Sequence, residues 1–244
     1  MRRTRLWLRV SACIVLPACG PTVFADDAGT EAPDATEGRP PPPPPADAAR
    51  PGVDAGSSPS VLISEVRSRG LGGGSDEFVE LYNPSTDPVT LDASWTLDAR
   101  SDTATAYSAR WTGTGKIIPA HGHFLIAGSA YAQQPAADES LLTGVTDATA
   151  LRLSRAGSVV DALCYGFDAT TLRVFSGDAT YVCEGMPAMN AHDNTTGTNV
   201  DESIERKPGG AAGNSQDTND NASDFAALTP SNPQSSASAP TPSP

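Results

Sequence analysis

Across residues 26–60 the chain holds a single valine, Val53, and no other large aliphatic or aromatic side chain. A stretch of this kind cannot bury enough apolar surface to offset the entropy of ordering it. Whatever folds must therefore lie outside it. Within it, Pro40 to Pro45 are six consecutive prolines, a run that favours a stiff polyproline II rod and reads as a spacer. Residues 231–244 repeat Ser, Pro and Ala and read as a second disordered segment, a C-terminal tail. What remains, residues 61–230, is long enough for one core of ordinary size.

The N-terminus has the pattern of an export signal. Residues 1–9 carry Arg2, Arg3, Arg5 and Arg9 and no acid, and residues 10–18 are short and apolar. The apolar run is far below the length that spans a bilayer, and no other segment approaches it. Residues 1–18 are read as a signal peptide and 19–60 as a disordered Pro/Ala/Asp-rich linker.

Leu16-Pro17-Ala18-Cys19-Gly20 resembles the lipobox of bacterial lipoproteins, with Pro17 where that family has a small or aliphatic residue. The resemblance implies cleavage before Cys19 and lipid attachment to it, which makes the membrane a partner. A competing site, Val23-Phe24-Ala25, fits ordinary signal peptidase and would release a secreted protein. The expected location is the cell envelope, as a membrane-anchored lipoprotein.

The formal charge is −13. Loss of the four signal-segment arginines leaves the mature chain four units more negative. Such a chain repels phosphate backbones, so no nucleic acid is expected as a partner. Of the four cysteines, Cys164 and Cys183 are the only pair inside the domain. Outside the cytoplasm two such thiols are expected to form a disulfide.

From residue 61 the sequence changes character. Residues 61–66, 77–83, 89–91, 95–97, 106–111, 116–118, 123–127, 150–153, 159–165 and 203–206 are short β-forming runs separated by Gly, Pro, Asn and Asp. No window shows sustained helical periodicity. Short strands at close spacing indicate an all-β sandwich or barrel.

Several of these runs, in order, resemble the lamin-tail domain family. They are Asp76-Glu77-Phe78-Val79-Glu80-Leu81-Tyr82-Asn83-Pro84, Val89-Thr90-Leu91 with Trp95-Thr96-Leu97, and Ile118-Pro119-Ala120 through Ile126. Ser203-Ile204-Glu205-Arg206 and the stretch from Asp217 to Phe225 match the family's closing segment. The resemblance covers residues 61–230 and implies an immunoglobulin-like β-sandwich. Residues 166–200, including Cys183, exceed what the minimal domain needs. They are either decoration or a binding loop.

Four constellations deserve a chemical reading. The Gly-rich loop from Gly70 to Gly74 is followed by a strand, with no Lys to follow, so it is not read as a phosphate cradle. Glu65, Asp76, Glu77 and Glu80 cluster around the first two strands. Glu77 and Glu80 fall on opposite faces, and are read as one exposed acid and one structural acid. His121 and His123 share a face if both lie on a strand, and are read as surface positions on a turn. The run from Asp217 to Asp224 has oxygen ligands at alternate positions but lacks the sixth-position Gly and the twelfth-position Glu of a calcium loop.

No nucleophile elbow occurs. The expectation is a non-enzymatic binding module with no cofactor, no catalytic residue and no metal, and with an envelope or extracellular protein as partner. The alternatives are a structural envelope or matrix protein without a specific ligand, and a metal-dependent hydrolase.

Overall fold

The computed structural model describes residues 61–242. The residues read as signal peptide (1–18), as lipid-attachment site (Cys19) and as linker (19–60) lie outside the described residues. Thirteen strands are found among them, in chain order β1 (Leu62–Arg67), β2 (Phe78–Tyr82), β3 (Val89–Leu91), β4 (Trp95–Ser101) and β5 (Ser108–Thr112). Then come β6 (Lys116–Ile118), β7 (His123–Ala127), β8 (Glu139–Ser140), β9 (Thr149–Arg155) and β10 (Ser158–Gly166). After helix α1 (Ala169–Gly177) come β11 (Ala188–Met189), β12 (Ser203–Arg206), the short helix α2 (Asn221–Asp224) and β13 (Phe225–Leu228). The protein is thus mostly β, as the spacing of turn residues implies.

One sheet has the order β13-β12-β1-β2-β7-β8 and another β11-β10-β9-β4-β5, while β3 and β6 form a small ribbon. Inward side chains of both large sheets, among them Ile63, Val79, Leu81, Phe124, Leu97, Leu151 and Leu163, belong to one apolar cluster with Trp95 and Trp111. The alternation of strand side chains explains most of this set. Ile63 and Val66 break it, since both face the core three residues apart. A β-bulge between Ile63 and Glu65 absorbs the extra residue. The bulge turns Glu65 to the outer face, directly opposite Glu80.

Residues 166–200 are integrated into the domain. Asp168 caps α1, accepting from the amides of Thr170 and Thr171, with Thr171 completing a capping box. The helix lays Phe175 against Tyr181, Ala148, Ala150 and Cys164 on the outer face of the five-stranded sheet. β11 then adds in parallel to β10, pairing Ala188 with Tyr165. The absence of helix in the sequence reading is corrected at this point. α1 buries only Thr171 and Phe175, too few to leave a periodic apolar stripe.

The expected disorder of the tail is also corrected for residues 231–242. They run as a strap across the outer face of the six-stranded sheet, with a turn closed by the Ser238 amide on the Ser235 carbonyl. Their order comes from hydrogen bonds to distant carboxylates, which composition does not report. None of the helices among the described residues is long and apolar enough to cross a membrane.

Candidate interaction face

The outer face of the six-stranded sheet carries a row of acids. Glu205 on β12, Glu65 on β1 and Glu80 on β2 are neighbours across adjacent strands. Glu65 and Glu80 are out of water, at 0% and 1% exposure. Ser203 donates to Glu65 Oε1 (2.6 Å), and Ser64 donates to Glu80 Oε1 (2.6 Å). Glu205 accepts from the amide of Gly210 (2.7 Å). Burial pushes the Glu65 carboxyl up to about 7 and raises that of Glu80 well above its ordinary value, the neighbouring Glu65 adding to the effect. Glu65 Oε2 has no hydrogen-bond partner among the described residues.

The strap seals this row. The amide of Asn232 donates to Glu65 Oε1 (3.0 Å), and the amide of Gln234 donates to Glu80 Oε2. Ser231 donates to Asp201, and Ser236 bonds Asp138 through its amide (2.9 Å) and its hydroxyl. Farther along, the amide of Thr241 reaches the carbonyl of His121 (2.8 Å), and the Tyr82 hydroxyl donates to the Thr241 carbonyl (3.1 Å).

Arg67 anchors the neighbouring part of the face. It is fully buried, donates to Asp76, Gln133 and Asp201, and stacks on Phe78 with its guanidinium 5.0 Å from the ring centre.

The histidines depart from the surface reading. His123 is 1% exposed within β7. Its Nε2 lies 2.9 Å from Asn214 Oδ1 and 3.7 Å from Glu80, and its ring packs on Tyr82. Burial lowers it to about 4. His121 sits before the strand in a left-handed turn (φ 52°) and is partly exposed, so the two do not share a strand face. Glu77 and Glu80 are correctly on opposite faces, but neither is exposed. Glu77 accepts from the Val145 amide (2.8 Å), and burial pushes it up to about 7.

The remaining candidates are structural in their bonding. Asp76 closes the Gly-rich loop by accepting from the Gly72 amide (2.9 Å), and a Cβ at Gly70 would meet its carboxylate at 2.4 Å. In the run from Asp217 to Asp224, Asp220 caps α2 and Asp224 accepts from Thr218. Among the described residues no group of three or more His, Cys, Asp or Glu side chains is placed to hold a metal. Cys164 and Cys183 form a disulfide, with Cα atoms 5.3 Å apart.

With this geometry in view, the comparison with known families is specific. Residues 54–167 match the family model of the Lamin Tail Domain. The match takes in β1 to β10 and stops as α1 begins. The lamin-tail resemblance read to residue 230 thus has its family match in the first part of that span. A solved structure of a DUF4876 family protein from Bacteroides thetaiotaomicron is similar at 16% identity and TM-score 0.49, covering 69% of this chain and 70% of that one. No curated protein matches the chain.

Sequence reasoning missed two buried groups in the later part of the domain. His192 is fully buried, with Nδ1 2.7 Å from the Thr198 carbonyl and Nε2 2.8 Å from that of Glu202. Arg206 reaches from β12 to Asp161 on β10 through two bonds of 2.9 and 3.0 Å. Beside them, Glu184 is pushed up to about 10 by burial and by the Asp161 charge. Arg206 finds Asp161 across 45 residues, and His192 is held by main-chain carbonyls of an irregular loop, so no sequence motif marks either.

Proposed function

We propose that the chain is an exported, lipid-anchored display module of the cell envelope, carrying a lamin-tail-like β-domain that binds a partner and carries out no chemistry of its own. The observation that carries the reading is the bonding of the acids. Glu65, Glu77, Glu80, Asp161 and Glu184 each bond a separate segment of the chain. Carboxylates used in this way hold a scaffold together. An immunoglobulin-like sandwich is the arrangement we propose for it, supported by the one apolar core that the two large sheets share.

The tether rests on Cys19 and on the linker that follows it. A bacterial lipoprotein carries more than one acyl chain, and two or more chains hold stably where one holds weakly. The partner is the membrane at one end and an envelope or extracellular protein at the other. The acid balance argues against nucleic acid.

Expression of the full-length gene in a bacterial host, followed by intact mass, tests the anchor. A mature protein beginning at Cys19 with a lipid increment supports it. A mass beginning at Asp26 without lipid makes the protein secreted and the linker no tether. A stoichiometric partner recovered from envelope extracts supports binding over a purely structural role.

A further inference from the structure

The strap contributes little apolar surface. Its buried residues are Pro233, Ser235 and Thr241. It is held instead by main-chain amides on Glu65 and Glu80 and by serine hydroxyls on Asp201 and Asp138. A segment with few apolar contacts opens at a lower free energy than the core strands beneath it. The floor belongs to the sheet itself: Arg67, Phe78, Tyr82 and Leu125 are buried side chains of β1, β2 and β7.

We infer that this outer face is a recognition face for an uncharged, serine- and proline-rich peptide. Residues 231–242 are its occupant in cis, exchangeable with the same segment of a second copy of the chain. The chemistry of the fit supports this occupant. The segment has no charged side chain, and the face offers it acceptors at the spacing of alternate residues, Glu65 for residue 232 and Glu80 for residue 234. Main-chain donors matched to a row of acceptors give affinity, and small side chains let the backbone approach. The inference goes beyond the anchored-display reading, and its failure would leave that reading standing.

The occupant lies against a cluster of titratable groups. Facing Glu65 and Glu80 are Glu205 from β12, Arg67 on β1, His123 from β7 and Tyr131 from the loop after it, with Asp76 and Asp201 on Arg67. The strap adds no charge to this set. Burial favours the protonated forms of Glu65 and Glu80, whereas the amides of Asn232 and Gln234 favour the ionised forms.

The test uses the full chain with Asn232→Pro and Gln234→Pro, which delete the two amide donors and leave the sheet untouched. A labelled synthetic peptide of residues 231–242 is the probe. Binding of that peptide, and not of one carrying the same two prolines, supports the proposal. A folded variant that binds neither peptide overturns it. Should the variant fail to fold, amide exchange of the unaltered chain decides. Faster exchange at Asn232 and Gln234 than in β1 and β2 supports an exchangeable occupant, and equal protection overturns it.

Discussion

Glu65 and Glu80 face one another across β1 and β2, both out of water, and each accepts an amide of the C-terminal strap. Raised carboxyl groups stabilise the folded state in their protonated form. Their contribution is fully present below the ordinary glutamate range and is lost as pH rises through the folded value, about 7 for Glu65. Glu77, also pushed up to about 7, acts with the same sign. Stability to urea is therefore expected to fall between pH 5.5 and pH 8.5, by about 2 kcal/mol for Glu65 alone. Glu65→Gln should flatten that slope. An unchanged slope would remove Glu65 from the account.

The disulfide closes a loop with a sequence separation of 19 between Cys164 and Cys183. Constraining a loop of this length in the unfolded chain stabilises the fold by about 3 kcal/mol on the chain-entropy estimate. Cys164→Ala with Cys183→Ala should lower the urea midpoint accordingly. The loss should appear first in exchange of the α1 amides, since the bridge ties the chain just after the helix to β10.

Arg206 and Asp161 are each fully buried and join the two large sheets. Removing one partner strands the other charge, so Arg206→Met should cost about 3–5 kcal/mol. The double change Arg206→Met with Asp161→Asn should recover part of this in a double-mutant cycle. Additive losses would mean that the two residues act separately.

Asp168 caps α1 through the amides of Thr170 and Thr171. Asp168→Ala should cost about 1 kcal/mol in stability. Asp168→Asn, which keeps an acceptor oxygen, should cost less. Thermal unfolding of the three proteins separates these cases.

Much of the β framework was legible because it is local. Strands such as β2, β7 and β10 announce themselves by apolar, β-branched or aromatic residues between turn formers, and their observed bounds lie within a residue or two of the reading. β8 and β11, two residues each, are defined by a partner strand and leave no signal of their own. The strap is the extreme case. Asn232 finds Glu65 at a separation of 167 residues, and nothing in a Ser/Pro/Ala run specifies that acceptor. His123 reads as a turn residue beside Gly122, and becomes a core residue because Tyr82 and Asn214 close over it. The candidate face was half visible: its acids stood out in the sequence, while what covers them did not.

The two-residue strands β8 and β11 each stand at the margin of a large sheet. A margin so short offers a neighbouring molecule almost no ladder to extend, and natural β proteins use such stubs to keep copies from zipping together. At these two margins the domain can be crowded at high local density with little drive toward fibrous aggregation, and copies would meet there through side chains in preference to shared backbone.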